Sequence, residues 1–166
     1  MLNDFLGKGK QPSYQTQSPA LLQRRGCFVT LRQRADDELR GCRGEVHARH
    51  SLVASVVRMT IASATDDPRF SPVKFAEVPQ LHIEISALTP LYPIQPADVV
   101  IGKHGLLIVK GNHLGLLLPQ VPVEHGWERA EFLRMVCHKA GLPENAWQTK
   151  GAALYGFESE VWEEEK

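Results

Sequence analysis

Residues 89–96, TPLYPIQP, carry three prolines, Pro90, Pro93 and Pro96, within eight positions. A proline has no amide hydrogen to give to a sheet ladder, so this stretch is barred from the middle of a sheet and should run as a stiff crossover. Upstream of it Leu81, Ile83 and Ile85 alternate with His82, Glu84 and Ser86, which predicts a half-buried strand, apolar on one face and polar on the other. Downstream, the apolar runs 106–110 and 114–118 flank Gly111-Asn112-His113, a length and composition suited to a β-hairpin, and Gly102-Lys103-His104-Gly105 reads as a tight turn leading into it. The proline stretch therefore marks a boundary between two lobes.

The remaining elements follow from the same rules. Residues 26–31, GCFVTL, are β-formers and predict a buried strand, followed by a polar turn at Asp36-Asp37-Glu38. Ser51 stands as an N-cap before Leu52, Val53, Val56, Val57, Thr60, Ile61 and Ala64, whose spacing predicts an amphipathic helix over 51–65, ended by Asp66-Asp67-Pro68. A second helix is predicted over 127–140, from Trp127, Ala130, Phe132, Leu133, Met135, Val136 and Cys137, with Gly141 and Pro143 as its stop. Ala153, Tyr155 and Phe157 suggest a final strand. Residues 1–25 read as an arm, either irregular or with one short helix near Asp4-Phe5-Leu6, residues 26–157 as the folded domain, and 158–166 as a glutamate-rich tail that frays in solvent.

Composition narrows the function classes. At 166 residues and 43% hydrophobic the chain can bury a core without staples, and its three cysteines, Cys27, Cys42 and Cys137, have neither the even count of a disulfide framework nor the C-x-x-C spacing of a zinc ribbon. With no apolar run of membrane-spanning length and no secretory leader pattern, the expectation is a soluble cytoplasmic protein. Nineteen basic against 19 acidic side chains disfavour nucleic acid as a partner, although Arg24, Arg25, Arg32, Arg34, Arg40, Arg43 and Arg49 crowd the first third and suit one local anion.

The densest chemistry lies in residues 39–44, LRGCRG, where Arg40 and Arg43, Cys42, Gly41 and Gly44 adjoin. Read as a turn, this stretch would offer backbone N–H groups and planar guanidinium forks to a carboxylate or phosphate, against the alternative of a strained turn pinned by an arginine to a carboxylate such as Glu84. Cys42 is a candidate nucleophile or redox thiol and His104 a candidate base, against packing and bracing roles for both. His47 and His50 lack a third ligand, so no metal and no cofactor are expected. Lys103 and Gln120, polar heads beside apolar runs, are candidate lining residues.

The motifs GCFVTL, LRGCRG, DPRFSPV, IEISALTP, IGKHGL, GLLLPQV and FLxxxCxKAGL, in that order over 26–157, resemble the AMMECR-type family, called AmmeMemoRadiSam system protein A in bacteria and archaea. The resemblance implies an α+β fold, mainly antiparallel sheet with flanking helices, in two lobes enclosing a cleft at the LRGCRG signature. It implies no established reaction, and it implies a Memo-like protein and a radical SAM protein as partners. The positions that carry over are Arg40, Gly41, Cys42, Gly44, Arg69, Lys103, His104, Gln120 and Cys137. Arg43 departs from the aliphatic residue usual in the signature, His113-Leu114 stands where an arginine is common, and the arm before Gly26 is shorter than the family's helical opening. The leading expectation is an accessory protein binding a small anionic ligand or a modified protein segment. The alternatives are an enzyme using Cys42 with His104 as base, and a nucleic-acid binder.

Overall fold

The computed structural model describes residues 1–10 and 12–164 and divides into two units, 1–88 with the segment from Glu160 onward, and 89–159. In chain order the first unit contributes helices α1 (Leu2–Lys8) and α2 (Pro19–Leu22), strands β1 (Cys27–Gln33) and β2 (Leu39–Glu45), helix α3 (Leu52–Thr65) and strand β3 (Leu81–Leu88). The second holds β4 (Tyr92–Pro93), β5 (Gly105–Lys110), β6 (His113–Leu117), helices α4 (Gln120–Glu124) and α5 (Arg129–Lys139), and β7 (Ala152–Phe157), after which β8 (Ser159–Glu163) returns to the first. Both sheets are antiparallel and open, with orders β2-β1-β3-β8 and β4-β7-β5-β6, so the α+β expectation holds. Among the described residues no helix is long and apolar enough to cross a membrane.

In the first unit α3 covers one sheet face. Val29 and Leu31 of β1 are sealed beneath it together with Ala64, Val73 and Leu81. The helix face turned inward is less oily than the sequence pattern suggests, because Ser55, Thr60 and Ser63 are all buried. Each hydroxyl has an acceptor: Ser55 donates to Glu45 (2.5 Å), Thr60 to the Val56 carbonyl (2.7 Å) and Ser63 to the Val29 carbonyl (2.7 Å). Small polar side chains let the helix axis come closer to the strands than leucines would. Ser51 occupies the N-cap, but its side chain makes no capping bond.

One sequence expectation is met here and two change. The short helix near Asp4-Phe5-Leu6 is α1, which buries Leu2 and ends on Gly9 in the left-handed region (φ 63°), while Gln11 lies outside the described residues. Strand β3 is not half-buried, since His82 and Ser86 on its polar side are as enclosed as Leu81 and Ala87. The acidic tail does not fray over 159–163; it forms β8, tied in by Arg25 to Glu160 (3.2 Å) and Arg34 to Glu164 (3.5 Å), with Glu165 and Lys166 outside the described residues.

The second unit is built on the β5–β6 hairpin, turned at Gly111 with φ 57°. Helix α5 lays Phe132, Leu133, Val136 and Cys137 onto Leu106 and Ile108. Burying a phenylalanine such as Phe132 contributes roughly 2–3 kcal/mol relative to leaving it exposed. Helix α4, not foreseen from the sequence, carries Pro122 in its first turn, where a missing amide does no harm. The proline stretch, expected as a crossover without strand, also supplies β4, a two-residue edge strand beside β7, where a missing amide is tolerated. The base of the unit is fastened where Thr89 N–H donates to the Glu158 carbonyl and Glu158 N–H to Thr89 Oγ1, both at 2.8 Å.

Candidate functional site

LRGCRG is a strand and not a turn. It forms the body of β2, at the sheet edge, and neither Gly41 nor Gly44 has a positive φ. The glycines serve close approach. A Cβ on Gly41 would sit 2.2 Å from the Ser63 carbonyl oxygen on α3, and one on Gly44 would sit 2.2 Å from Cδ1 of the Phe28 ring. Neither separation admits a side chain unless the neighbour shifts, which the Ser63 backbone does less readily than the Phe28 ring.

Because side chains alternate along a strand, Arg40 and Cys42 point away from α3. Cross-strand register sets Thr30 opposite Cys42 and Glu84 opposite Thr30, so these three make a polar row across β2, β1 and β3. The Thr30 hydroxyl donates to Cys42 Sγ at 3.5 Å. Burial nonetheless dominates and pushes the half-buried Cys42 thiol up, with the Thr30 hydrogen bond and Arg69 pulling it part of the way back and Asp67 and Glu84 opposing them. At neutral pH the sulfur stays protonated.

The outer edge of β2 is closed by side chains from the end of α3 and the loop after it. Arg43 N–H donates to Ser63 Oγ (2.8 Å), and Cys42 N–H donates to Asp67 Oδ2 (2.8 Å). Asp67, with its side chain only 3% exposed, also accepts from the Arg69 backbone N–H (3.1 Å), Nε (3.0 Å) and Nη2 (2.7 Å). These donors, the Arg69 side chain above all and then the two backbone amides, hold the Asp67 carboxyl far below the usual carboxylate range against the desolvation that opposes them. Arg69 itself is 52% exposed, fixed in plane by the two-point pair, and its guanidinium carbon lies 5.4 Å from the Phe70 ring centroid. The Asp67-Arg69-Phe70 cluster is what sequence reading missed; the D-P-R-F run marked Arg69 but not the aspartate on which it is mounted.

Arg40 has a different fate. Its side chain is 12% exposed and clamps Glu77, Nε to Oε2 at 2.9 Å and Nη2 to Oε1 at 3.3 Å, so the carboxylate it pairs with is Glu77 and not Glu84. That pair, with the Lys74 backbone amide (2.7 Å), keeps the Glu77 carboxyl low.

Lys103, His104 and Gln120 belong to the second unit. His104 is 7% exposed and its Nδ1 accepts the Val100 N–H at 3.1 Å, which puts its proton on Nε2 and commits the other nitrogen to bracing the 100–104 turn. Lys103 reaches Glu158 at 3.5 Å, both ends near half exposed. Gln120 is the first residue of α4. Arg40, Gly41, Cys42, Gly44 and Arg69 all lie in the first unit, so the eight candidates divide five and three. Among the described residues His47 and His50 join no cluster of three possible metal donors; Asp37, His82 and Glu163 do.

The chain matches the AMMECR1 family model over residues 1–162. It is 42% identical over 170 residues to Protein MK0488 of Methanopyrus kandleri, covering 98% of this chain and 82% of that one. It is 41% identical over 175 residues to Protein PH0010 of Pyrococcus horikoshii, covering 99% and 84%. The crystal structure of the uncharacterised protein PH0010 superposes with a TM-score of 0.93 at 40% identity, over 99% of this chain and 86% of that one. The chain belongs to the AMMECR1 family.

Proposed function

We propose that this AMMECR1-family chain is a cytoplasmic accessory binding protein. It takes a small anionic ligand, or an anionic modified protein segment, at the outer edge of the LRGCRG strand, and acts with a Memo-like protein and a radical SAM protein. The observation that carries the reading is Arg69: half exposed, held in one plane by buried Asp67, and lying near the Phe70 ring. A guanidinium fixed in this way keeps its outer N–H groups in a constant direction, so little rotamer entropy is lost when an anion docks on them. Arg40, held by Glu77, lies near the same Phe70 ring, its guanidinium carbon 6.0 Å from the centroid.

Thiol chemistry finds less support in the same residues. Burial keeps Cys42 protonated, and His104 spends Nδ1 on the Val100 amide.

The test is calorimetric titration with inorganic phosphate, sulfate and acetate, comparing wild type with Arg69→Gln and Arg40→Gln, each checked for unchanged circular dichroism. Saturable binding lost in Arg69→Gln supports the reading, and binding that is absent, or equal in wild type and Arg69→Gln, refutes it. Affinity capture with wild-type and Arg69→Gln bait then asks whether a Memo-like or radical SAM protein is retained through the same residue.

A further inference from the structure

We propose that His82 and Glu163, with Asp37 as the orienting residue, form a site for a divalent transition-metal cation that ties β8 to the first sheet. The three residues come from separate elements: Asp37 from the turn after β1, His82 from β3 and Glu163 from the end of β8. Their donor atoms lie within 4.8 Å of one another.

The imidazole is 0% exposed, and its two nitrogens meet different fates. Nε2 is 2.8 Å from Asp37 Oδ1. An ionised carboxylate only accepts, so Nε2 carries a proton, and in the neutral ring Nδ1 presents a lone pair. That lone pair lies 3.3 Å from Glu163 Oε1, outside hydrogen-bonding alignment, and Nδ1 is a buried nitrogen with no hydrogen-bond partner. A buried imidazole nitrogen and a carboxylate oxygen facing each other offer two electron pairs to a cation between them.

The donor set states the class of ion. An imidazole nitrogen with a carboxylate oxygen suits zinc and its first-row neighbours, whereas calcium and magnesium favour all-oxygen shells. With metal–donor distances of about 2.0–2.2 Å, a 3.3 Å separation of the two ligands is an ordinary bite, and water completes the shell. The carboxylate–histidine–metal arrangement, in which a second carboxylate fixes the far nitrogen, is the part Asp37 plays. Both carboxylates are near half exposed, so an ion can reach the pair from solvent. Of the neighbouring cations, Arg32 donates to the Asp37 backbone carbonyl at 3.1 Å, and Arg34 to the Leu81 carbonyl at 2.9 Å, with Glu164 at 3.5 Å.

The full chain, stripped with chelator, would be titrated at neutral pH with zinc by calorimetry and with cobalt(II) by absorption. Hydrogen exchange over 159–163 is followed in parallel. Binding of one equivalent is expected, with a cobalt spectrum free of thiolate charge transfer and slower exchange in β8 once zinc is bound. Glu163→Gln removes a direct ligand at an exposed position and should abolish both effects, while Asp37→Asn should weaken binding by about 10–100-fold. His82→Ala should also bind no ion, but because the ring is buried the two surface variants carry the test. No saturable binding by wild type overturns the proposal and leaves His82 held by its carboxylates alone. So does undiminished binding in Glu163→Gln, or a thiolate band in the cobalt spectrum, since either puts the ion elsewhere.

Discussion

Asp67→Ala should cost far more stability than Arg69→Ala, although each removes one half of the same ion pair. Asp67 is buried and serves the Cys42 and Arg69 backbone amides as well as the guanidinium. Hydrogen bonds to a charged acceptor contribute about 1.5–3 kcal/mol each, so the two amides alone set a ceiling of about 3–6 kcal/mol. Water reaches the gap beside half-exposed Arg69, which brings the expected loss to roughly 2–4 kcal/mol. Arg69→Ala leaves both amide bonds intact and deletes a pair with one solvated end, a loss of about 1 kcal/mol or less. In a chain of this size those figures correspond to a fall of about 5–15 °C in Tm for Asp67→Ala and about 2–4 °C for Arg69→Ala. Urea titration by circular dichroism measures both, and amide exchange at Cys42 locates the damage. The pH dependence has a definite sign. The folded-state pKa of Asp67 is depressed, so its contribution is fully present above the unfolded carboxyl value of about 3.9 and is lost as pH falls from there toward the folded value. The gap between wild type and Asp67→Ala should therefore be constant from neutral pH to about 5 and close only in stronger acid. Equal losses for the two variants, or a gap that closes near neutrality, would refute the claim that Asp67 works chiefly by capping the strand edge.

Gly41→Ala should destabilise by about 1–3 kcal/mol or more, because its Cβ meets the Ser63 backbone oxygen, and Gly44→Ala by less, because the obstacle there is a half-buried Phe28 ring that can turn; chemical denaturation ranks them, and the reverse order would be evidence against the close-approach reading. In thiol labelling of the native chain Cys42 should react slowly at neutral pH and accelerate only in alkali, whereas Cys137 and Cys27, the latter pushed up to about 12 by burial and then by Glu45, should wait for denaturant. Rapid neutral labelling of Cys42 would restore the nucleophile. Glu77→Gln should cost about 1 kcal/mol at neutral pH, a difference that fades below about pH 4 because the folded carboxyl is held low by Arg40; stability curves against pH for the two proteins check this.

Local rules reached most of the fold. The hairpin around Gly111 and the start of α3 at Leu52 were legible because a turn residue and a 3.6-residue period are properties of neighbours in sequence. LRGCRG was misread for a definite reason. Glycine signals either backbone freedom or a missing Cβ, and only the arrival of Ser63 and Phe28 tells which is in use. His82 was assigned to a solvent face by alternation, and what encloses it against Asp37 and Glu163 comes from distant parts of the chain. Strand β8 had no apolar pattern to announce it, and its glutamates read as solvated until Arg25, Arg34 and His82 were found waiting for them. At the candidate site the arginines were visible as residue types. Which one stays outward facing depends on whether its carboxylate partner is Glu77 or Asp67, and pairing is a tertiary fact.

Strand β8 is made after the whole 89–159 unit, yet it lies beside β3 in the sheet that the first 88 residues begin. During synthesis the first unit must therefore stand on the ribosome with one strand edge bare while the second is translated and closes its own base at Thr89 and Glu158. A premature stop codon just before position 159 would leave the later-made unit whole and cripple the earlier one.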